Sequence, residues 1–233
     1  MATLKERNKI RKLIDGVKVG GFEYILYNIT DRLPRWLAYY RHSLLLMHDI
    51  NKTPLPDIDR DRTDYTFRMG TLADSASLEP FNISETMTRE WLELGYTLFL
   101  ALKGKQVVTY HWYARGDLFL AVSGTYFSTA SDEVFGAGTA TLADNRREGL
   151  FKGVYVRHRE YYRDIGCTKS LATVNILNRG SIKAHEHLGY VTVGETYHFE
   201  FLGLAFTYYR SWPKPQRQMM IGLAGRRGNT TVA

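Results

Sequence analysis

Cysteine is almost absent: Cys167 is alone in 233 residues, so no internal disulfide can form and a disulfide-stapled scaffold is excluded. Six prolines and 20 glycines fall in no repeat, which excludes collagen-like and low-complexity architectures. Long apolar runs are missing too. The longest near the amino end is Leu44-Leu45-Leu46-Met47, far short of the roughly 20 residues of a spanning helix. The basic start MATLKERNKIRKL leads into no uninterrupted apolar segment and does not read as a secretory signal. A reducing, cytoplasmic setting is expected. Acidic residues are absent from 210–233, where five basic ones stand.

What is present is ordinary for a globular protein: 44% hydrophobic and 24% charged residues, with a formal net charge of +7. The charge sits at the ends. Residues 1–20 sum to +4 and residues 210–233 to +5, which leaves −2 for the 189 residues between. A slightly acidic body offers no extended basic face, so a specific nucleic-acid partner is not expected.

The proline- and aspartate-rich stretch Pro54–Asp64 reads as a linker, dividing residues 1–64 from a main domain over 65–211. In the first part, Leu33, Trp36, Leu37, Tyr40, Leu44 and Met47 recur at helical spacing, and predict an amphipathic helix over 32–50. It docks on the domain or makes a peripheral membrane or partner contact. In the main domain, helical patterns over Thr71–Phe81 and Ile83–Leu94 precede strands at Tyr96–Leu102, Gln106–Ala114, Leu118–Val122 and Val134–Leu142. Glycines 136 and 138 predict a bulge in the last of these. A helix over Gly149–Ile165, a strand over Ser170–Ile176, a helix over Ser181–Leu188 and strands at Tyr190–Gly194 and Thr196–Tyr209 complete a mixed α/β order. Residues 212–233 show no sustained period and read as a mobile basic tail.

Chemistry concentrates between Thr141 and Tyr190. Asp144-Asn145-Arg146-Arg147-Glu148-Gly149 runs into a helix start, where unpaired N–H groups and the macrodipole favour an anion and a glycine allows close backbone approach. Farther on, Val174, Asn178, Ser181, Ile182, His185, Leu188, Gly189 and Tyr190 form V-x-x-x-N-x-x-S-I-x-x-H-x-x-L-G-Y. This resembles the V-x-x-x-N-x-x-A-I-x-x-Y-x-x-x-G-F signature of the GNAT superfamily of acyl-CoA N-acyltransferases. Arg146 to Leu150 is similar to that family's Q/R-x-x-G-x-G/A loop, with Phe151 in the place of the last small residue. Tyr65 to Asp74 resembles its opening strand and first helix. The resemblance covers roughly residues 65–211.

What the resemblance implies is a GNAT-like fold: a mixed, mostly antiparallel central sheet flanked by helices, here with an N-terminal helical extension. The implied co-substrate is acetyl-CoA or another acyl-CoA, with no metal. Leu142, Asp144, Arg146, Arg147, Glu148, Gly149, Leu150 and Phe151, with Asn178 and Ser181, are the implied coenzyme-binding residues. His185 stands where the family often has a tyrosine that protonates the leaving thiolate, a transfer imidazole can perform. The general base is open among Glu133, His111, Glu195, His198 and water, with Glu133 the first choice beside His185. His187 has no implied role, and Cys167 lacks the partners of a nucleophile. The expected reaction is direct acyl transfer to an amine of a small molecule or peptide. The alternatives are a long acyl chain or an acyl carrier protein as donor, and a non-catalytic domain that binds a partner or membrane. A homodimer is left open.

Overall fold

The computed structural model describes residues 17, 20–52, 64–120, 125–211 and 217–223. Among them, helix α1 covers residues 20–30 and strand β1 follows at Ala38–Asp49. Strand β2 (Tyr65–Met69) leads into a 3-10 segment (Leu72–Phe81) and helix α2 (Glu85–Glu93), whose N-cap Ser84 accepts from Met87 N–H. Then come β3 (Thr97–Lys103), β4 (Gln106–Ala114), β5 (Asp117–Leu120), β6 (Thr125–Ser128) and β7 (Glu133–Thr141). Helix α3 (Leu150–Asp164), β8 (Lys169–Asn175), α4 (Arg179–His187), β9 (Val191–Phe201), β10 (Leu204–Ser211) and β11 (Arg217–Leu223) complete the order.

Nine strands form one sheet in the order β11-β10-β9-β1-β8-β7-β4-β3-β2. Its only parallel pair among the described strands is β7 with β8. Helix α3 packs Leu150, Val154 and Tyr162 with Phe99, Ala101 and Val134. The other face of β3 and β4 is covered by Leu78, Ile83 and α2, closing over Leu98, Leu100 and Trp112. A mixed, mostly antiparallel sheet between helices is the architecture the sequence predicts.

Four expectations are corrected. The stretch 32–50 is not an amphipathic helix: Ala38–Asp49 is a strand in the middle of the sheet, paired with β8 on one side and β9 on the other. Its apolar spacing fits a helix and a strand equally, and a strand buried on both faces carries consecutive apolar residues. Residues 38–49 are therefore part of the domain rather than of an extension, and are not available as an interfacial helix. The strand expected at Leu118–Val122 does not continue the sheet, because β5 and β6 pair only with each other. The break expected near Glu195 lies instead at Leu202-Gly203, both with positive φ, in the turn between β9 and β10. Finally, 212–233 is not tail throughout, since residues 217–223 pair along β10 as an edge strand. The expected linker falls outside the described residues except for Asp64.

Candidate functional site

Strands β7 and β8 pair from Glu133↔Lys169 to Gly136↔Ala172 and no farther. Each nevertheless continues along its outer neighbour, β7 with β4 to Thr141 and β8 with β1 to Asn175. The parallel pair is therefore split into a wedge. The register jump between Trp112↔Gly138 and Tyr113↔Gly136 leaves Ala137 unmatched, a bulge that bends β7 where the split begins. Leu142 N–H donates to Val108. By alternation along the strand, the main-chain groups of Thr139 then face away from β4 into the opening.

The wedge holds a cleft of about 320 Å³ with Gly138 and Thr139 on one side, Thr173 and Asn175 on the other, and His111, Tyr113, Phe151, His185 and Tyr190 within it. Arg41 and Ser43 of β1 also line it. The Arg41 guanidinium bonds Asp31 at 2.6 Å and the Tyr40 carbonyl at 2.7 Å, above the ring of Tyr39.

At the mouth of the wedge the chain passes through a 3-10 turn, Ala143–Asn145, into α3. Arg147 (φ 68) and Gly149 (φ 72) are both left-handed, and such alternation turns successive N–H groups into one concavity. Gly149 is the N-cap of α3, with no capping side chain and no acid in the first turn. The helix start is therefore electropositive and offers its donors outward. Glu148 is held away by the Tyr65 hydroxyl and by Asn145 Nδ2 at 3.4 Å. Arg146 Nε donates to Thr141 O at 3.4 Å. Asp144 and Arg147 are exposed on the turn. Leu142 and Leu150 pack into the core beneath it. Phe151 turns inward, its ring 4.8 Å from His111 and 5.0 Å from His185, so the departure from a small residue there puts an aromatic ring in the cleft lining.

Asn178 caps α4, its Oδ1 accepting from Ser181 N at 3.1 Å. One turn on, His185 Nδ1 lies 2.8 Å from Ser181 O. A carbonyl only accepts, so Nδ1 carries the proton and the neutral ring presents Nε2 as an acceptor. Burial lowers the His185 pKa below the ordinary histidine value, and the bond to Ser181 opposes this in part. His111 is pushed well down by burial, helped by nearby His158 and His185. Its Nδ1 meets Tyr113 Oη at 3.2 Å, while Nε2 is buried without a hydrogen-bond partner.

Not every candidate is brought here. Glu133 sits at the closed end of the β7–β8 pair, bonded to Lys169 Nζ at 3.2 Å and Ala130 N at 3.1 Å, away from the cleft lining. Its choice as base is corrected on that ground: the strand carries it to the end opposite the split. Glu195 accepts from His42, and His198 lies between Thr207 and Glu200 on β9 and β10. Sequence reasoning missed Arg41 and Ser43, because β1 was read as a helix. It also missed Tyr113 and Tyr190, which the alternation of QVVTYHWYA and the G-Y of the second motif could have placed. Among the described residues, no group of three or more His, Cys, Asp or Glu is placed to hold a metal, and no helix is long and apolar enough to cross a membrane.

No protein-family model and no curated protein matches the sequence. The split parallel pair, the bulge beside it and a glycine-led helix at its mouth belong to one mixed α/β fold. The chain has the GNAT fold. Solved structures similar to it include the tandem GNAT protein from the clavulanic acid biosynthesis pathway, 10% identical, with a TM-score of 0.50 over 69% of this chain and 52% of that one. A Drosophila protein is 11% identical, with a TM-score of 0.51 over 70% of this chain and 52% of that one. The chain thus spans about half the length of each. The aminoglycoside N-acetyltransferase AAC(6')-Iy, in complex with CoA, is 20% identical with a TM-score of 0.45, over 53% of this chain and 90% of that one.

Proposed function

We propose that the chain transfers an acyl group, in the simplest case acetyl, from coenzyme A to an amine of a small molecule or peptide. The observation that carries this reading is the wedge between β7 and β8, open directly beside an electropositive helix start. The residues fit the co-substrate: the N–H groups of residues 149–151 and the Arg146 and Arg147 charges suit a pyrophosphate, and the exposed main chain of Thr139 suits a thioester carbonyl. Tyr113, Tyr190 and His111 line the cleft, and their polar edges suit a short acyl group better than a long chain.

In the transfer a C–N bond forms, the C–S bond breaks, one proton leaves the amine and one arrives at sulfur. His185 serves both ends. Its neutral Nε2 accepts the proton from the attacking nitrogen and then gives it to the departing thiolate, while Nδ1 stays bonded to Ser181. Asn178 and Ser181 hold that helix turn in place. Release of free thiol from acetyl-CoA in the presence of amine pools tests the reading. Amine-dependent release supports it, and release at the rate of buffer alone across diverse amines contradicts it.

A further inference from the structure

Charge around the cleft is one-sided. Among the described residues that line it there is no aspartate or glutamate, and Arg41 carries the one permanent charge. Glu23 and Glu195 meet the His42 ring at 3.1 Å each, which strand alternation puts on the other face of β1. On the Arg41 face, Glu200 is buried against Arg35 and lies 2.9 Å from His198 Nε2. Asp31, 53% exposed, bonds Arg41 itself. A polycationic acceptor would therefore bring further ammonium groups to this face with no open carboxylate to receive them.

The Arg41 guanidinium is set in advance for an anion. It stands 4.0 Å from the centre of the Tyr39 ring and 4.8 Å from that of Tyr27, so two aromatic rings hold it before any ligand arrives. Nη1 donates to Tyr40 O and Nη2 to Asp31, which uses two of its five N–H groups among the described residues. Its side chain is 17% exposed, a setting in which water and salt screen its charge less than on an open surface.

The register puts Arg41 on the face away from α3. Ser43 and Asn175 are directly opposed at the last β1–β8 pair, so they share a face, and Arg41 is the next β1 residue on it, just beyond the end of β8. Leu44 and Val174, of the other face, pack with Tyr155 of α3. Strand β1 stands two strands from β7, about 10 Å in an evenly spaced sheet, a span that an arginine side chain and the body of an amino acid or dipeptide cover together. Resting on the acyl-transfer reading, which gives coenzyme A the α3 side, we propose that the acceptor enters from the Arg41 side and is an amine that also bears a carboxylate. It is a free amino acid or short peptide, and Arg41 binds its carboxylate through the N–H groups left open.

The test measures acyl transfer from acetyl-CoA by the full chain to matched acceptors: α- and ω-amino acids and dipeptides, their carboxamides, and the polyamine spermidine. Rates are compared at equal concentrations of unprotonated amine. Carboxylate acceptors should be preferred over their amides by about tenfold or more in kcat/KM, the worth of one charge-assisted pair. Arg41→Gln should cut that preference about tenfold, through KM for the carboxylate acceptors. Arg41→Lys, which keeps the charge but loses the planar fork, should fall between the two. Transfer by the parent to amides or spermidine as efficient as to the carboxylates overturns this inference and leaves the acyl-transfer reading standing. So does an unchanged preference in a folded Arg41→Gln variant. Thiol release with none of these acceptors overturns both.

Discussion

His185 gives its Nδ1 proton to the main-chain carbonyl of Ser181, 2.8 Å away and one helical turn earlier. That bond fixes the tautomer and leaves Nε2 as the nitrogen proposed to exchange protons in the cleft. His185→Phe should keep α4 and coenzyme binding but slow the chemical step about 10²- to 10⁴-fold, the usual range for losing a general acid–base group. His185→Tyr should recover part of the loss. A phenylalanine variant that turns over like the parent, under conditions where chemistry limits, moves the proton to water or another group.

Burial of the same ring, which that bond opposes only in part, sets the pH dependence expected of the rate. Burial lowers the His185 pKa, so the neutral, proton-accepting form persists below the ordinary histidine range. Once the ionisation of the acceptor amine itself is divided out, the rate should stay level as pH falls to about 6.5, the ordinary value, and decline only at lower pH. A decline already centred above that value would contradict the assignment.

Stability should respond to acid through two other histidines. Burial holds His48 at about 4 and His158 at about 3. The unfolded chain then binds more protons than the folded one between those values and the ordinary histidine pKa. Their contribution is complete above the unfolded value and is lost as pH falls through it toward the folded values, a loss on the order of a few kcal/mol. Thermal midpoints measured from pH 7 down to 4 check the sign; a flat profile would show that these sites are protonated without cost.

Gly149 should matter more to coenzyme binding than Arg147. A β-branched residue at φ 72 is strained and blocks close approach of the backbone to phosphates, whereas the exposed Arg147 contributes screened charge. Gly149→Val is expected to weaken coenzyme A binding by more than tenfold and Arg147→Ala by a few-fold, figures that follow the energy of one lost anion cradle against one surface charge. Calorimetric titration distinguishes the two, and equal small effects would remove the loop from the site.

Deleting residues 1–60 should abolish soluble protein. The deletion takes out β1, which is hydrogen-bonded on both sides within the sheet and carries the fully buried Leu46 and His48. It also removes Arg41 and Ser43 from the cleft wall. A soluble remainder with intact coenzyme binding would mean that β8 and β9 can close on each other.

Much of this arrangement is legible in the sequence. The glycines of β7 mark the bulge, the apolar period over Gly149–Ile165 matches α3, and the Asn178-to-Tyr190 motif puts His185 on the turn that lines the cleft. What escaped had a common physical cause. The 32–50 stretch satisfies helical and strand spacing at once, and only pairing with β8 and β9, more than 100 residues away in sequence, decides between them. With β1 misplaced, its contribution to the cleft was invisible. Glu133 looked suitable by type, but strand direction, which composition does not encode, carries it to the closed end of the wedge.

The central claim is that the β7–β8 wedge and the α3 start form one acyl-coenzyme A site. Its most direct test is the thermal midpoint of the full chain with and without millimolar acetyl-CoA, for the parent and for Gly149→Val. A ligand that binds only the folded state raises the midpoint, so the parent should shift upward by several degrees and the variant much less. No shift for the parent at millimolar acetyl-CoA would contradict the claim.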